Sequence, residues 1–300
     1  MIRSLKVLAA VVNCDLEKLA KYAEWMKDET TRKNCYYTYQ KKRSQGKFRT
    51  IAPSYHGLKD IQNRLMSRVF KHVIFPYHVV GSTKKRSGVI NAKIHTGSLY
   101  HLQTDLVGFF DFVNYKNVYK ALIALDFSAD VAGLITQLTT FNGHLPQGAP
   151  TSPFLANLVG LALDRILLEY CGSMNLIYTR YVDDITMSGS YNFKKDVSLF
   201  LNAIKEAGFL YSHRKTVYKA GDIEVTGAKV TFKKIDLTDH QVCKIFSGTI
   251  SDNSRRGLCG YFKHLRQVDK CFDFNDFKEK FSNLKFPERL LPYMNHKVTS

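Results

Sequence analysis

Tyr178-Thr179-Arg180-Tyr181-Val182-Asp183-Asp184-Ile185-Thr186-Met187-Ser188 decides how this chain is read. Residues 177–180 and 185–188 are rich in β-branched and aromatic residues, which predicts two short strands around a tight turn. Successive side chains on a strand face opposite ways, but at a tight turn both carboxylates can project near one point. Two unpaired acids repel one another, and a divalent cation relieves that cost. Alone, an Asp-Asp pair in a hairpin reads as an ordinary turn. Its surroundings change the reading.

Working outward, Asp105 ends a predicted strand over 99–104 and is followed by Phe109 and Phe110. A third carboxylate at a strand end, opposite a carboxylate hairpin, suits two metal ions ~4 Å apart that clamp the attacking and leaving oxygens of a phosphoryl transfer. Between the two lies Leu145-Pro146-Gln147-Gly148-Ala149-Pro150-Thr151-Ser152-Pro153, a rigid loop whose glycine permits close backbone approach. It runs into a helix predicted from Ser152-Pro153 to about Tyr170.

The rest of the pattern is α+β. Residues 1–35 read as helical and 36–55 as a hairpin, with Tyr36, Tyr37 and Tyr39 leading into Lys41–Gly46 and Lys47–Ile51 returning. A helix over 58–74 buries Leu58, Ile61, Leu65 and Val69, and a helical stripe from Val197 to Ala207 stops at Gly208. A β segment spans about 225–232, and the last 60 residues look helical. The middle of the chain is expected to hold a mixed or antiparallel sheet.

Lys plus Arg number 44 against 26 Asp plus Glu, a formal charge of +18, with 45% hydrophobic and 13% aromatic residues. That is a chain with a real core and a surface that calls for a polyanion, nucleic acid being the usual one. Residues 241–300 alone carry 11 Lys/Arg and 6 Asp/Glu. No apolar run approaches the ~18 residues of a membrane helix, and the six apolar residues Val7–Val12 fall short of the ~7–15 of a signal peptide. Six cysteines without a CxxC pair argue against a metal cluster and for a reducing, cytoplasmic setting.

Taken together and in order, these motifs resemble those of reverse transcriptases, specifically the bacterial retron reverse transcriptases. Asp105 with Phe109-Phe110, Gln147–Pro153, Tyr178–Asp184, and Gly208-Phe209 through Lys215-Thr216 match the family's motifs in sequence order. Asn91-Ala92-Lys93-Ile94-His95 looks like the retron NAxxH segment and Val225-Thr226-Gly227 like its VTG segment. The matches run from about residue 36 to 232, with a looser one at Gly260-Tyr261-Phe262. Val182 departs from the pattern, since most bacterial members carry Ala there, against the primer end; altered fidelity or rate is expected from it.

The resemblance implies a right-hand polymerase of fingers, palm and helical thumb. Residues 1–98 would form an N-terminal helical segment and fingers, 99–236 a palm with inserted fingers helices at about 116–142, and 237–300 an RNA-binding thumb. Asp105, Asp183 and Asp184 would hold two Mg²⁺ ions. Lys42 and Arg49, with Lys47 beside them, would clamp the triphosphate of a dNTP. Phe110 would exclude a ribose 2′-OH, Gln147 and Gly148 would line the sugar and base, and Lys215 would stand near the leaving pyrophosphate. Lys84, Lys85, Arg86, Asn91, Arg255, Arg256 and Lys263 are candidate RNA contacts; for His95, touching RNA and capping a turn both remain open.

The partner implied is a cognate non-coding RNA that is both template and primer source, giving RNA-linked multicopy single-stranded DNA within an anti-phage system with a separate effector protein. Two alternatives of the same class are a group II intron-like and a diversity-generating enzyme. A catalytically inactive RNA-binding module is the alternative of a different class, and the presence of all three carboxylates argues against it.

Overall fold

The computed structural model describes residues 1–42, 48–247 and 250–282. Three helices lead: α1 (Leu5–Val12), α2 (Leu16–Lys27) and α3 (Glu29–Arg32). The hairpin β1 (Tyr39–Lys42) and β2 (Phe48–Ile51) precedes α4 (His56–Arg64), α5 (Gly88–Ile94), β3 (Tyr100–Val107), α6 (Phe109–Phe112), α7 (Tyr115–Ala124), α8 (Ala129–Thr139) and α9 (Ser152–Ser173). Beyond lie β4 (Ile177–Tyr181), β5 (Asp184–Gly189), α10 (Val197–Glu206), β6 (Leu210–Tyr211), β7 (Val217–Ala220), β8 (Ile223–Val225), β9 (Ala228–Val230) and β10 (Ile235–Asp236). Helices α11 (Asp239–Phe246), α12 (Asp252–Cys271) and α13 (Phe274–Ser282) close the described chain. The architecture is α+β with antiparallel sheets, as the patterning predicts.

These elements form two compact units, each assembled from separated stretches of sequence. The first takes the described residues of 1–74 and 108–162. Its buried polar centre is Gln62, whose amide donates to the Tyr36 hydroxyl (2.7 Å) and the Leu138 carbonyl (2.9 Å) while its carbonyl accepts from Ser54 (2.7 Å). With every bond satisfied, an amide at 0% exposure costs little and ties the base of the hairpin to α4 and α8. Phe70 stacks on Phe154 at 4.4 Å beside this network.

The second unit takes the described residues of 75–107 and 163–282. Its main sheet runs β4-β5-β3, and the far edge of β3 is shared by β7 at Tyr100–Gln103 and β6 at Leu106–Val107. The single β segment expected at 225–232 is instead a hairpin, β8–β9, turning at Thr226-Gly227. Both turn residues have positive φ (46° and 81°), which a tight primed turn demands. Val225, Ala228, Val230 and Ile235 of this small sheet pack with Val89 and Ala92 of α5 and with Leu265 of α12. Thr226 donates from its hydroxyl to the Gly88 carbonyl at 2.6 Å. The two retron-like segments are therefore one joint.

Candidate active site

The sheet register assembles the carboxylates. Strands β3 and β5 pair antiparallel with Asp105 directly opposite Asp184, and β4 and β5 pair down to Tyr181 opposite Asp184, leaving Val182 and Asp183 as a two-residue turn. Carboxylate oxygens of Asp105, Asp183 and Asp184 come within 4.8 Å of one another. The Leu106 amide donates to the Asp183 carbonyl (2.8 Å) and the Ser212 amide to the Asp105 carbonyl (2.8 Å), so both backbones are held from the sheet. Along β3 the alternation buries Leu102, Thr104 and Leu106 on one side and brings Asp105 to the other.

Three acids this close cannot all ionise freely. The Asp184 carboxyl is pushed up to about 7, first by partial desolvation, then by the hydrogen bond it shares with Asp105 and the charges of Asp183 and Asp105; Lys215 pulls the other way. The residue keeps an exposed flank, which gives a cation access. An all-oxygen donor set that holds back a proton until a positive charge arrives fits a hard divalent ion. Lys215 already offers a partial substitute: its ammonium sits 2.8 Å from Asp105 Oδ1. It rides the turn between β6 and β7, where the amides of Lys215 and Thr216 donate to the Ser212 carbonyl and Thr216 meets Thr104 at 2.8 Å. With Lys215 63% exposed, the pair contributes at most about 1 kcal/mol.

The turn itself is strained. Val182 has φ +61°, a left-handed conformation that costs a β-branched residue roughly 1–3 kcal/mol. Gly81 lies so close that a Cβ there would fall 2.4 Å from the Val182 nitrogen. Beneath it Arg180, at 0% exposure, donates from Nε and Nη2 to the two oxygens of Asp164 (2.7 Å each) and from Nη1 to the Val182 carbonyl (2.9 Å). Tyr178 donates to the same Asp164 (2.7 Å), and His78 stands 3.7 Å away. Burial alone would raise the Asp164 carboxyl; the charge and hydrogen bonds of Arg180 outweigh it and hold it far below the usual carboxylate range. The reading of the sequence passed over Asp164. A lone acid in the apolar run Leu161–Leu168 was the available signal.

Apart from Lys215, the residues expected at the nucleotide belong to the first unit. There the Ala52 amide donates to the Gln147 carbonyl (2.7 Å), and Gly148, at φ +115°, passes so near β2 that a Cβ would meet Ile51 at 3.0 Å. The loop of Gln147 and Gly148 is thus seated against the strand that carries Arg49. Phe110 stands half-buried on α6 with its ring 6.1 Å from that of Phe109, and the segment after α6 is tied to the approach of the same loop by Leu145 N to Val113 O (3.0 Å). The hairpin register refines the basic pair: Lys41 is opposite Arg49 and shares its face, whereas Lys42 is opposite Phe48 on the other face. Lys42, the lysine expected with Arg49 at the triphosphate, therefore lies one residue off the face of Arg49. Lys47 lies outside the described residues.

The expected RNA contacts separate by burial. Lys84, Lys85, Arg256 and Lys263 are exposed. Arg86 is turned inward: its guanidinium donates to the carbonyls of Phe75, Pro76 and Val79 and stacks on Phe281 at 4.2 Å, and burial pulls it down to about 10. It is a splint for the 75–79 segment, not a surface contact. Asn91 (1% exposed) and His95 (0%) are core residues, and His95 bridges Ser188 and Thr179 of the hairpin strands at 2.7 Å each. Arg255 is half-buried, 3.9 Å from Asp252.

Comparison with known proteins agrees with the geometry. The family model described as reverse transcriptase (RNA-dependent DNA polymerase) matches residues 40–234, well over half of the chain and every motif of the site. The chain belongs to the reverse transcriptase family. Within it, this reverse transcriptase is 31% identical over 206 residues to the retron Ec86 reverse transcriptase of Escherichia coli, covering 67% of this chain and 64% of that one. It is 27% identical over 278 residues to the retron Ec73 reverse transcriptase of the same species, covering 83% and 88%. A 32% match to the retron Se72 reverse transcriptase of Salmonella heidelberg covers 51% of this chain and 39% of the relative. The chain thus spans less than two thirds of the Ec86 and Se72 enzymes.

Among solved structures, a foamy viral protease-reverse transcriptase in complex with double-stranded DNA aligns over 82% of this reverse transcriptase and 43% of that chain, at 17% identity and TM-score 0.46. A Candida albicans telomerase aligns over 89% and 55%, at 12% identity and TM-score 0.49. The α+β chain with its antiparallel sheet has the right-hand polymerase architecture of the reverse transcriptase family. Among the described residues no helix is long and apolar enough to cross a membrane.

Proposed function

We propose that this reverse transcriptase is the RNA-directed DNA polymerase of a retron, joining dNTPs to a primer on a cognate non-coding RNA. The observation that carries the reading is the carboxylate triad that the β3–β5 register and the β4–β5 turn bring within 4.8 Å. Asp105, Asp183 and Asp184 would hold two Mg²⁺ ions, which, when bound, supply the charge that an in-line attack of a primer hydroxyl on an α-phosphate requires.

The remaining residues divide the work. Lys215, already paired with Asp105, is placed to meet charge on the departing pyrophosphate. Arg49 offers its planar fork to the triphosphate, with Lys41 on its face and Lys42 one residue on. Gln147 and Gly148 line the sugar and base, and Phe110 excludes the 2′-OH. In this reading the palm spans 99–236 with inserted fingers helices at about 116–142, fingers precede it, and a thumb follows from 237. The product would be RNA-linked single-stranded DNA made in the bacterial cytoplasm, in an anti-phage system with a separate effector, a part that rests on the motif resemblance; the relatives' names support the retron reading itself.

The test is primer extension by the purified chain on an RNA template with dNTPs and Mg²⁺. Extension is expected, and Asp183→Ala should lower it by at least about 10³-fold. Extension by Asp183→Ala at the wild-type rate would overturn the metal assignment. Expression with the native flanking DNA should yield a discrete short DNA whose gel mobility shifts on RNase treatment. Its absence alongside active polymerase would remove the retron role and leave the chemistry.

A further inference from the structure

We propose that Arg180 and Asp164 are positioning residues that hold the carboxylate turn in its metal-ready conformation. The role given to the three carboxylates rests on the polymerase reading above. Two of the contacts that Arg180 makes bear on the turn. Nε and Nη2 meet the fully buried Asp164 side by side, and Nη1 reaches the carbonyl of Val182, the residue before Asp183. A buried ion pair is a poor source of stability, since well-packed apolar groups serve as well. The third arm is what an apolar pair would lack.

That arm acts on the most strained point nearby. Val182 is held at φ +61°, where a β-branched side chain is disfavoured, and the turn is gripped from several sides. The segment 78–81 runs along β4, with the Arg180 amide donating to His78 (2.8 Å) and the Val80 amide to the Arg180 carbonyl (2.9 Å). Gly81 has no side chain because the Val182 nitrogen occupies that space. Leu106 holds Asp183 from the opposite strand. A turn left to itself would relax φ at Val182 and swing the following carboxylate away from Asp105 and Asp184. The guanidinium, fixed in plane by Asp164 and by Tyr178 beyond it, keeps that carbonyl where it is.

Arg180→Lys keeps the charge that Asp164 needs and loses the fork. Mn²⁺ binding to the nucleic-acid-free chain, read by electron paramagnetic resonance, is the decisive measurement, with thermal melting alongside. Arg180→Lys should fold and bind Mn²⁺ roughly 10–100-fold more weakly, the usual effect of a residue behind the ligands. In primer extension kcat should fall while KM for dNTP stays. Adding Val182→Gly, which prefers φ > 0 at the first position of such a turn, should recover most of the Mn²⁺ affinity.

Wild-type Mn²⁺ affinity in folded Arg180→Lys overturns the proposal, as does a loss that Val182→Gly leaves uncorrected. Should Arg180→Lys fail to fold, Tyr178→Phe takes its place, with a smaller loss expected and an unchanged affinity overturning the idea. A wild-type chain that binds Mn²⁺ and shows these differences yet extends no primer would sink the polymerase reading and leave the positioning intact.

Discussion

Asp184 ties metal, proton and stability together at one residue. Its folded value is about 7, against an ordinary carboxylate value of 3.8, so between those two the unfolded chain has lost a proton that the folded chain keeps. The metal-free fold therefore loses this group's contribution as pH rises from about 4 to 7. Two outcomes are expected in thermal melts: the gap between wild type and Asp184→Asn shifts against wild type across that window, and added Mg²⁺ raises the wild-type melting temperature increasingly above pH 7. A gap that stays level from pH 4 to 8 would mean the three acids are not crowded as described. The acids were legible in the sequence because a doublet in a β-rich turn and an acid at a strand end are rare together. Asp164 was not, because one buried carboxylate leaves no pattern. Nor was the pairing of β1 with β2, which sets Lys41 rather than Lys42 opposite Arg49 and leaves no mark in composition.

At the scale of elements, the segment read as an RNA contact is a brace. Helix α5 points His95 between the hydroxyls of Ser188 and Thr179, one on each strand of the carboxylate hairpin. Burial, and then the neighbouring His101, push this histidine down to about 3, so it is neutral throughout the physiological range. The unfolded chain protonates it below about 6.5, and its contribution to stability is whole above that pH and lost on descent toward 3. The loss is of order 3–5 kcal/mol at the acid end. Acid titration of the fold should therefore be steeper in wild type than in His95→Gln, measured by urea unfolding at pH 4 and pH 7; equal slopes would place His95 elsewhere. The same reasoning explains what the sequence hid about Asn91 and Arg86. Polar residues in a motif suggest a ligand, and only the fold shows that Arg86 is spent on the chain's own carbonyls and that Asn91 is buried.

Over the whole molecule the surplus of +18 finds a visible outlet on α12. Arg256, Lys263 and Lys270 are exposed and seven residues apart, so they fall in line on the side away from the buried Leu265. Binding of RNA should weaken steeply between 50 and 200 mM salt. Replacing all three by Ala should flatten the slope of log K against log salt by about 2, as expected for three lost phosphate contacts to a single strand. An unchanged slope would assign the charge to solubility alone. The basic tail was legible from composition, its alignment only from the helix that carries it.

The discontinuity of both units has a consequence for the order of events at the ribosome. Strand β3 is made early, yet both its neighbours come from the far half of the second unit: Asp184 on one edge, and the turn of Lys215, 110 residues beyond Asp105, on the other. At ordinary elongation rates that interval lasts roughly 5–20 s. Until β5 follows, the first carboxylate waits on a strand with two bare edges, and one edge stays bare until β6 and β7 arrive. A nascent chain is therefore inert as a polymerase until most of its length has emerged, and during that wait its central strand is the segment most in need of protection from pairing with a stranger.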